Sequence, residues 1–354
     1  MEKYIETLVG FYPVSSKQEN VLSLLEYAKA HMDKYNMQTK FLLHGGIHSL
    51  YAHPQGKEKS RLLLQAHIDI VPGENQPFRV ENGRYYGRGT YDMLFATACY
   101  MRLLDELSES LSTLDLGIML SGDEELGGFH GIEPFLNDGY ETDVCILPDA
   151  GENFGAINTS AKGVYSCTVQ INGKSHHGSR PWEGDGAAIK LVHFLYDLEQ
   201  VFDTSSQDNT TMTVSILKSG DADNRGPSSA EATLDIRYSD KRDLSRVQQL
   251  LNEKLQEYDG QIINLIEGSD YQLDSVHPDV KTFLEVYSRH HEGPIEETKS
   301  HGSSDARFFA EKNIPVIMLR PKGEGAHGDV EWVSIEEVEK FYQLLKEYVV
   351  KLLQ

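Results

Sequence analysis

Leu62-Leu63-Leu64-Gln65-Ala66-His67-Ile68-Asp69-Ile70-Val71-Pro72 decides how the chain folds. Leu62 to Leu64 is an unbroken apolar run, the pattern of a strand buried on both faces of a mostly parallel sheet. His67 and Asp69 follow at once. In open α/β sheets, ligands bind just beyond the carboxyl ends of the strands. Side chains two apart in extended chain point the same way, so these two can serve one site. A metal-bound imidazole needs a carboxylate or carbonyl behind it to fix its tautomer. On its own, His-x-Asp is a polar strand end. Its weight depends on how the later strands finish.

Leu116 to Leu120 is a second buried run, ending in Ser121-Gly122-Asp123-Glu124-Glu125-Leu126-Gly127-Gly128. Successive acids behind a core strand repel one another and lose hydration, a cost that a cation offsets. Val144 to Leu147 runs into Pro148-Asp149-Ala150-Gly151, and Pro315 to Leu319 leads to Gly323-Glu324-Gly325-Ala326-His327-Gly328. In Gly87-Arg88-Gly89-Thr90-Tyr91-Asp92-Met93 the glycines turn the backbone and set Asp92 at the start of a helix over Ala96 to Leu104. The helix dipole favours a carboxylate there. Read alone, Asp92 is an ordinary helix cap. Taken together, His67, Asp92, Glu124, Glu125, Asp149 and His327 offer imidazoles and carboxylates that suit zinc, cobalt or manganese. A pair of metals clamps a carbonyl oxygen and brings a bridging water's pKa near neutrality. One carboxylate must then stay off the metals to take the water's proton.

The 354 residues exceed one average core, so two domains are expected. Hydrophobic content of 39% and charged content of 25% are those of a soluble globular protein. The net charge of -22 argues against nucleic acid or an anionic membrane as a partner. Cys99, Cys145 and Cys167 have no paired spacing and read as buried thiols of a reducing compartment. There is no basic-then-apolar leader, and no apolar run approaches the ~18 residues that span a bilayer. The expectation is a cytoplasmic protein.

Ser16-Lys17-Gln18-Glu19 fits a capping box for an opening helix that carries Val21, Leu24, Leu25 and Ala28 on one face. Met37 to Leu43 reads as a strand. His44, His48 and His53 fall in a polar, Gly-containing connection as solvated loop histidines. Val164 to Ile171 alternates like a half-exposed strand. A helical stretch from Gly186 to Phe202 follows, then strands at Met212 to Leu217 and Ala232 to Tyr238, a helix from Leu244 to Tyr258, and a strand from Gln261 to Ile266. This β-α-β-β-α-β order predicts a two-layer α+β domain over residues 163–269, inserted into an α/β domain of residues 1–162 and 270–354.

The motifs around His67, Asp92, Glu124-Glu125, Asp149 and Ala326-His327-Gly328-Asp329-Val330-Glu331, in this order, resemble a known family. It is that of the co-catalytic zinc metallopeptidases and amidohydrolases, which includes acetylornithine deacetylase, succinyl-diaminopimelate desuccinylase, aminoacylases, glutamate carboxypeptidase and bacterial di- and tripeptidases. The resemblance covers nearly the whole chain. It implies a zinc-peptidase-like catalytic domain, its mostly parallel sheet flanked by helices, and an inserted lid and dimerisation domain. It implies two Zn2+, replaceable by Co2+ or Mn2+. His67 would bind one metal with Glu125 or Asp149, His327 would help bind the other, and Asp92 would bridge them. Asp69 would orient His67. Glu124 would be the general base that later protonates the leaving amine. A cis peptide is implied at Asp92-Met93.

Gly173-Lys174-Ser175-His176-His177-Gly178-Ser179-Arg180-Pro181 resembles the family's lid motif, with His177 rather than His176 at the motif's histidine. In dimeric members that residue reaches the partner's active site and stabilises the developing oxyanion. Asn224 and Pro227, ahead of Asp235-Ile236-Arg237, match a further lid motif and make Asn224 and Arg237 substrate contacts. From the residues alone, His177 is a loop histidine and Arg237 a strand-end ion-pair partner. Gly302-Ser303-Ser304-Asp305-Ala306-Arg307 resembles the segment that holds a substrate carboxylate. Arg307 has the fork geometry for that task, with Ser303 and Ser304 as further donors. Read alone, Arg307 pairs with an acid such as Asp305.

Leu94-Phe95-Ala96 stands where many members have Lys-Gly, and His301-Gly302 where Gly-Gly is common. Both departures bear on the substrate rather than the chemistry. The expected activity is hydrolysis of an amide or peptide bond in a small substrate with a free carboxylate, by a homodimer joined through the inserted domain. Asp149, where many deacylases have glutamate, favours a di- or tripeptidase or carboxypeptidase-like enzyme. The alternative is an N-acyl-amino-acid deacylase of the acetylornithine deacetylase or succinyl-diaminopimelate desuccinylase type. A non-catalytic relative would have lost the base or a ligand, and none is lost.

Overall fold

The Lys59–His67 strand runs through the interior of a six-stranded sheet. The structure, a computed structural model, describes residues 1–203 and 205–354. Strand order across the sheet is 38–44, 47–53, 116–121, 59–67, 141–146, 316–317. Leu116–Ser121, Lys59–His67, Glu141–Ile146 and Val316–Ile317 pair in parallel. Gln38–His44 and Ile47–His53 add an antiparallel margin. Leu62, Leu64, Leu116, Ile118, Leu120, Val144 and Cys145 are fully buried. Burial on both faces is why these strands are continuously apolar. His67 lies opposite Ser121 in register, so the loops after both strands leave from one edge of the sheet. Helices Phe95–Glu106 and Ile335–Leu353 belong to the same unit, and the latter buries Val338, Phe341, Leu345 and Tyr348 at helical spacing.

The chain divides into two units. The first comprises Met1–Ser160, Gln272–Ser300 and Ser304–Gln354, the second Ala161–Tyr271 with His301–Ser303. The second unit is a four-stranded antiparallel sheet in the order 211–219, 229–238, 163–172, 260–268, packed against helices Ala187–Glu199 and Lys241–Glu257. Alternate residues Tyr165, Cys167, Val169 and Ile171 meet Leu191, Phe194, Val247 and Leu251 in its core. Asp240 caps the second helix, accepting from the Arg242 and Asp243 amides at 2.8 and 3.0 Å. The β-α-β-β-α-β order expected from the sequence is the order observed.

Two local expectations need correction. His44, His48 and His53 lie in strands rather than in a loop. Gly45 and Gly46, at φ +55° and +84°, close a two-residue hairpin that sets His44 opposite Ile47. Paired positive φ values match the twist of the flanking strands. His53 is buried, with Nε2 3.0 Å from Asp115 Oδ1. The capping box is also not formed. The helix Gln18–Asp33 starts without a side-chain cap, and Gln18 Nε2 donates to the Ser15 carbonyl at 2.8 Å. Among the described residues, no helix is long and apolar enough to cross a membrane. All three cysteines are buried free thiols.

Candidate active site

Two groups of side chains meet beyond the carboxyl ends of the parallel strands, and both include Asp92. His67 Nε2 lies 3.2 Å from Asp92 Oδ1 and 3.7 Å from Asp149 Oδ1. His327 Nε2 lies 3.4 Å from Asp92 Oδ2 and 3.0 Å from the Glu125 carboxylate. Within each group the ligand atoms fall within 4.8 Å of one another. Asp92 therefore turns one carboxylate oxygen to each imidazole.

Local backbone sets these positions. Asp92 lies in the wide turn Thr90–Leu94, and the Asp92-Met93 peptide is cis. Gly89, at φ +82°, precedes the turn, and a Cβ there would meet Ile70 Cγ2 at 2.7 Å. Glu331, itself buried, holds the turn. Its carboxylate accepts from the amides of Gly89 at 2.8 Å, Tyr91 at 2.9 Å and Asp92 at 3.1 Å, and from Arg88 Nη1 at 3.1 Å. His327 adopts φ +62°, a left-handed conformation uncommon outside glycine, in a turn where the Gly328 amide donates to Gly325.

Asp69 serves both His67 and the acidic loop. The Asp69 carbonyl oxygen is 3.0 Å from His67 Nδ1, nearer than its own Oδ1 at 3.6 Å. The Asp69 carboxylate accepts from the Glu124 and Glu125 amides, each at 3.2 Å, and from the Ser15 hydroxyl at 2.8 Å. The main chain of Asp69 thus orients the imidazole, while its side chain fixes the turn that carries both glutamates.

Residues 63–351 match the pattern of peptidase family M20/M25/M40. The chain belongs to that family. Among relatives, succinyl-diaminopimelate desuccinylase of Rickettsia akari is 25% identical over 385 residues, covering 99% of each chain. A tripeptidase of Staphylococcus aureus superposes with a TM-score of 0.80 at 18% identity, covering 98% of this chain and 96% of that one. A dinuclear metal-binding M20 peptidase of Bacillus subtilis gives 0.73 at 16% identity, covering 99% and 98%. The α/β fold expected from the sequence is that of M20 proteins, and the chain is a hydrolase of this family.

The donor set of this M20 chain fits metal ions. Burial, then Asp149, pushes Glu124 well above the ordinary carboxylate range. Burial raises Glu125 to about 7 and also raises Asp149. Burial alone would lower His67, but hydrogen bonds to Asp149, Asp69 and Asp92 outweigh it and hold the imidazole well above its usual value. The hydrogen bond to Asp92 lifts His327 to about 9. Crowded carboxylates that resist ionisation and imidazoles that hold protons are what a cation relieves, since metal ligands bind deprotonated. His67, Asp92 and Asp149 form one donor set, and Asp92, Glu125 and His327 the other.

The remaining candidates are placed as follows. Arg307 is buried, donates to the Gly127 carbonyl, and lies beside the Phe308 and Phe129 rings. Ser304 Oγ accepts from the Ala306 amide at 3.3 Å. Ser303 belongs to the second unit. There, His177 is exposed, with Nδ1 accepting from the Ser179 amide at 3.2 Å. The Asn224 carbonyl accepts from the Gly178 amide at 2.5 Å, and Arg237 pairs with Asp235 through two contacts at 2.7 and 3.1 Å. Sequence reasoning missed Glu331, Arg88 and Ser15. The usable signal for Glu331 was an acid four residues after His327, in a chain whose Gly87-to-Asp92 turn needs acceptors for its amides.

Proposed function

We propose that this chain hydrolyses an amide or peptide bond in a small substrate carrying a free carboxylate, as a di- or tripeptidase or carboxypeptidase-like enzyme. The carrying observation is Asp92, shared between the His67–Asp149 and His327–Glu125 groups, in the same unit as the raised carboxyl of Glu124. His67, Asp92 and Asp149 would hold one zinc ion and Asp92, Glu125 and His327 the other, with cobalt or manganese as substitutes. Such a pair polarises a carbonyl and lowers the pKa of water. Glu124 takes a proton from the attacking water as the C–O bond forms. It returns that proton to the nitrogen as the C–N bond breaks, releasing an acid and an amine. A neutral His177 with Nδ1 already accepting a hydrogen bond carries its proton on Nε2, the form that donates to an oxyanion. Asn224, Arg237, Ser303 and Ser304 are the proposed substrate contacts.

The fold shared with the S. aureus tripeptidase and the aspartate at position 149 support the peptidase side. A second reading, removal of an N-succinyl or N-acetyl group from an amino acid, is favoured by the desuccinylases among its relatives. The chain's buried free thiols support a cytoplasmic setting. Exposed Ile189, Val192 and Tyr196 on helix Ala187–Glu199 support a homodimer formed through the second unit. Protein loaded in turn with zinc, cobalt or manganese is to be offered dipeptides, tripeptides, and N-acetyl and N-succinyl amino acids. We expect turnover of one group, lost by a factor of ~10^3 or more in Glu124→Ala. Near wild-type turnover by that variant would refute the assignment of the base.

A further inference from the structure

We propose that Arg307 is a positioning residue that clamps the Glu124 turn from the end opposite Asp69, and that it does not grip the substrate. This rests on reading Glu124 as the base. Arg307 lies on helix Ala306–Glu311 and is only 7% exposed. Its Nη2 donates to the carbonyl of Gly127. The guanidinium carbon is 4.4 Å from the centre of the Phe308 ring and 5.2 Å from that of Phe129, and the two rings meet edge to face at 5.9 Å. Phe129 belongs to the same loop as Gly127. A planar cation flanked by rings, with its edge on a carbonyl, is packed into the protein rather than presented to a ligand.

The carbonyl it holds sits at a decisive place. Glu124–Leu126 forms a single 3-10 turn, closed by the Gly127 amide donating to the Glu124 carbonyl at 2.7 Å. The Gly128 amide donates to the Asp123 carbonyl at 2.8 Å. Asp69 grips the front of this turn through the Glu124 and Glu125 amides. Arg307 grips its back. A Cβ on Gly128 would meet Asp305 Oδ1 at 2.2 Å, so the loop lies directly against the segment that carries Arg307. With both ends fixed, the base and the Glu125 carboxylate keep a constant spacing. A shift of this turn displaces both.

The test compares wild type with Arg307→Lys, which keeps a charge and a donor, and Arg307→Gln, which keeps a shorter donor without charge. Hydrogen–deuterium exchange is followed in peptides spanning residues 122–130 of the full chain, metal-free and zinc-loaded. Thermal melts establish that each variant is folded. We expect exchange in that loop to rise about tenfold in Arg307→Gln, as loss of a charged donor implies, and less in Arg307→Lys. Exchange in the 59–67 strand stays unchanged. Kinetics are measured on Ala-Ala-Ala and on its C-terminal amide. Clamping predicts a fall in kcat of about tenfold on whichever of the two is turned over, with KM little changed, because a displaced base slows chemistry rather than binding. Unchanged loop exchange in a folded Arg307→Gln variant, with KM raised for the free acid alone, would overturn the proposal in favour of a substrate anchor. If the wild-type protein hydrolyses neither peptide, the functional reading is weakened while the exchange measurement still decides the clamp.

Discussion

Glu331 shows how much of the candidate site rests on one buried carboxylate. Its carboxylate satisfies the amides of Gly89, Tyr91 and Asp92 and one guanidinium edge of Arg88. In Glu331→Gln one acceptor oxygen becomes an NH2 group facing amide donors. We expect metal affinity to fall about 10- to 100-fold, the usual effect of losing support behind a ligand, with the fold retained. Calorimetric titration of zinc into metal-free protein measures it, and unchanged affinity would contradict the role. Asp305 carries a different prediction. Burial, with Asp123 adding to it, raises its carboxyl from 3.8 to about 7, while its Oδ2 accepts from Gln65 Nε2 at 3.2 Å. A raised carboxyl means the folded state binds more protons than the unfolded one, so this group's contribution falls as pH rises from about 4 to about 7. Asp305→Asn imitates the protonated form. In melts with EDTA it should be more stable than wild type at pH 8 and gain nothing at pH 4. A pH-independent difference would rule out the titration. The side chains that gather around Asp92 were legible in the sequence because each follows a core strand or a glycine turn. Glu331, Arg88 and Ser15 were not, because hydrogen bonds between residues far apart in the chain, 242 positions from Glu331 to Gly89 and 54 from Ser15 to Asp69, leave no local pattern.

At the scale of elements, the central strands were readable because burial on both faces leaves no alternation, as at Leu62 to Leu64. The second unit was readable for the opposite reason, since Val164 to Ile171 alternates between a helix-covered face and a polar one. The strand at Gln38–His44 was read, but its partner Ile47–His53 was missed because three histidines suggested solvent. The two glycines between His44 and Ile47 carried the better signal. The opening helix misled because Ser15, not Ser16, makes the buried contact, and it does so with Asp69. Asp240 offers a check on the second unit alone. It accepts two amides at the start of Lys241–Glu257, so Asp240→Ala should lower the stability of this unit. Thermal or urea denaturation would show this as an earlier loss of structure. No loss would mean that water replaces the cap fully.

At the scale of the whole molecule, the exposed apolar side chains need an account. Ile189, Val192 and Tyr196, at 61, 54 and 60% exposure, recur along one face of helix Ala187–Glu199. One of the two edge strands of its sheet, Thr211–Ser219, leaves Ile216 and Leu217 exposed at 49 and 56%. An outer strand with an apolar surface invites a second copy. A dimer through these faces would let His177 of one copy serve the other. Co-expression of His177→Ala and Glu124→Ala chains under different tags, followed by purification of the mixed dimer, tests this. Each variant alone should be nearly inactive, losing roughly 10^2-fold or more. In the mixed dimer, the site that keeps Glu124 would receive its histidine from the other chain and be complete. The site that lacks Glu124 would stay dead. Activity of about half that of the wild-type dimer is therefore expected, as one of two symmetry-related sites is intact. If His177 acted within its own chain, neither site would be complete and the mixed dimer would be as inactive as its parents. Replacing Val192 and Leu217 by lysine should abolish both the dimer, measured by light scattering, and the complementation. Retained complementation in a monomer would break the link between the apolar face and catalysis.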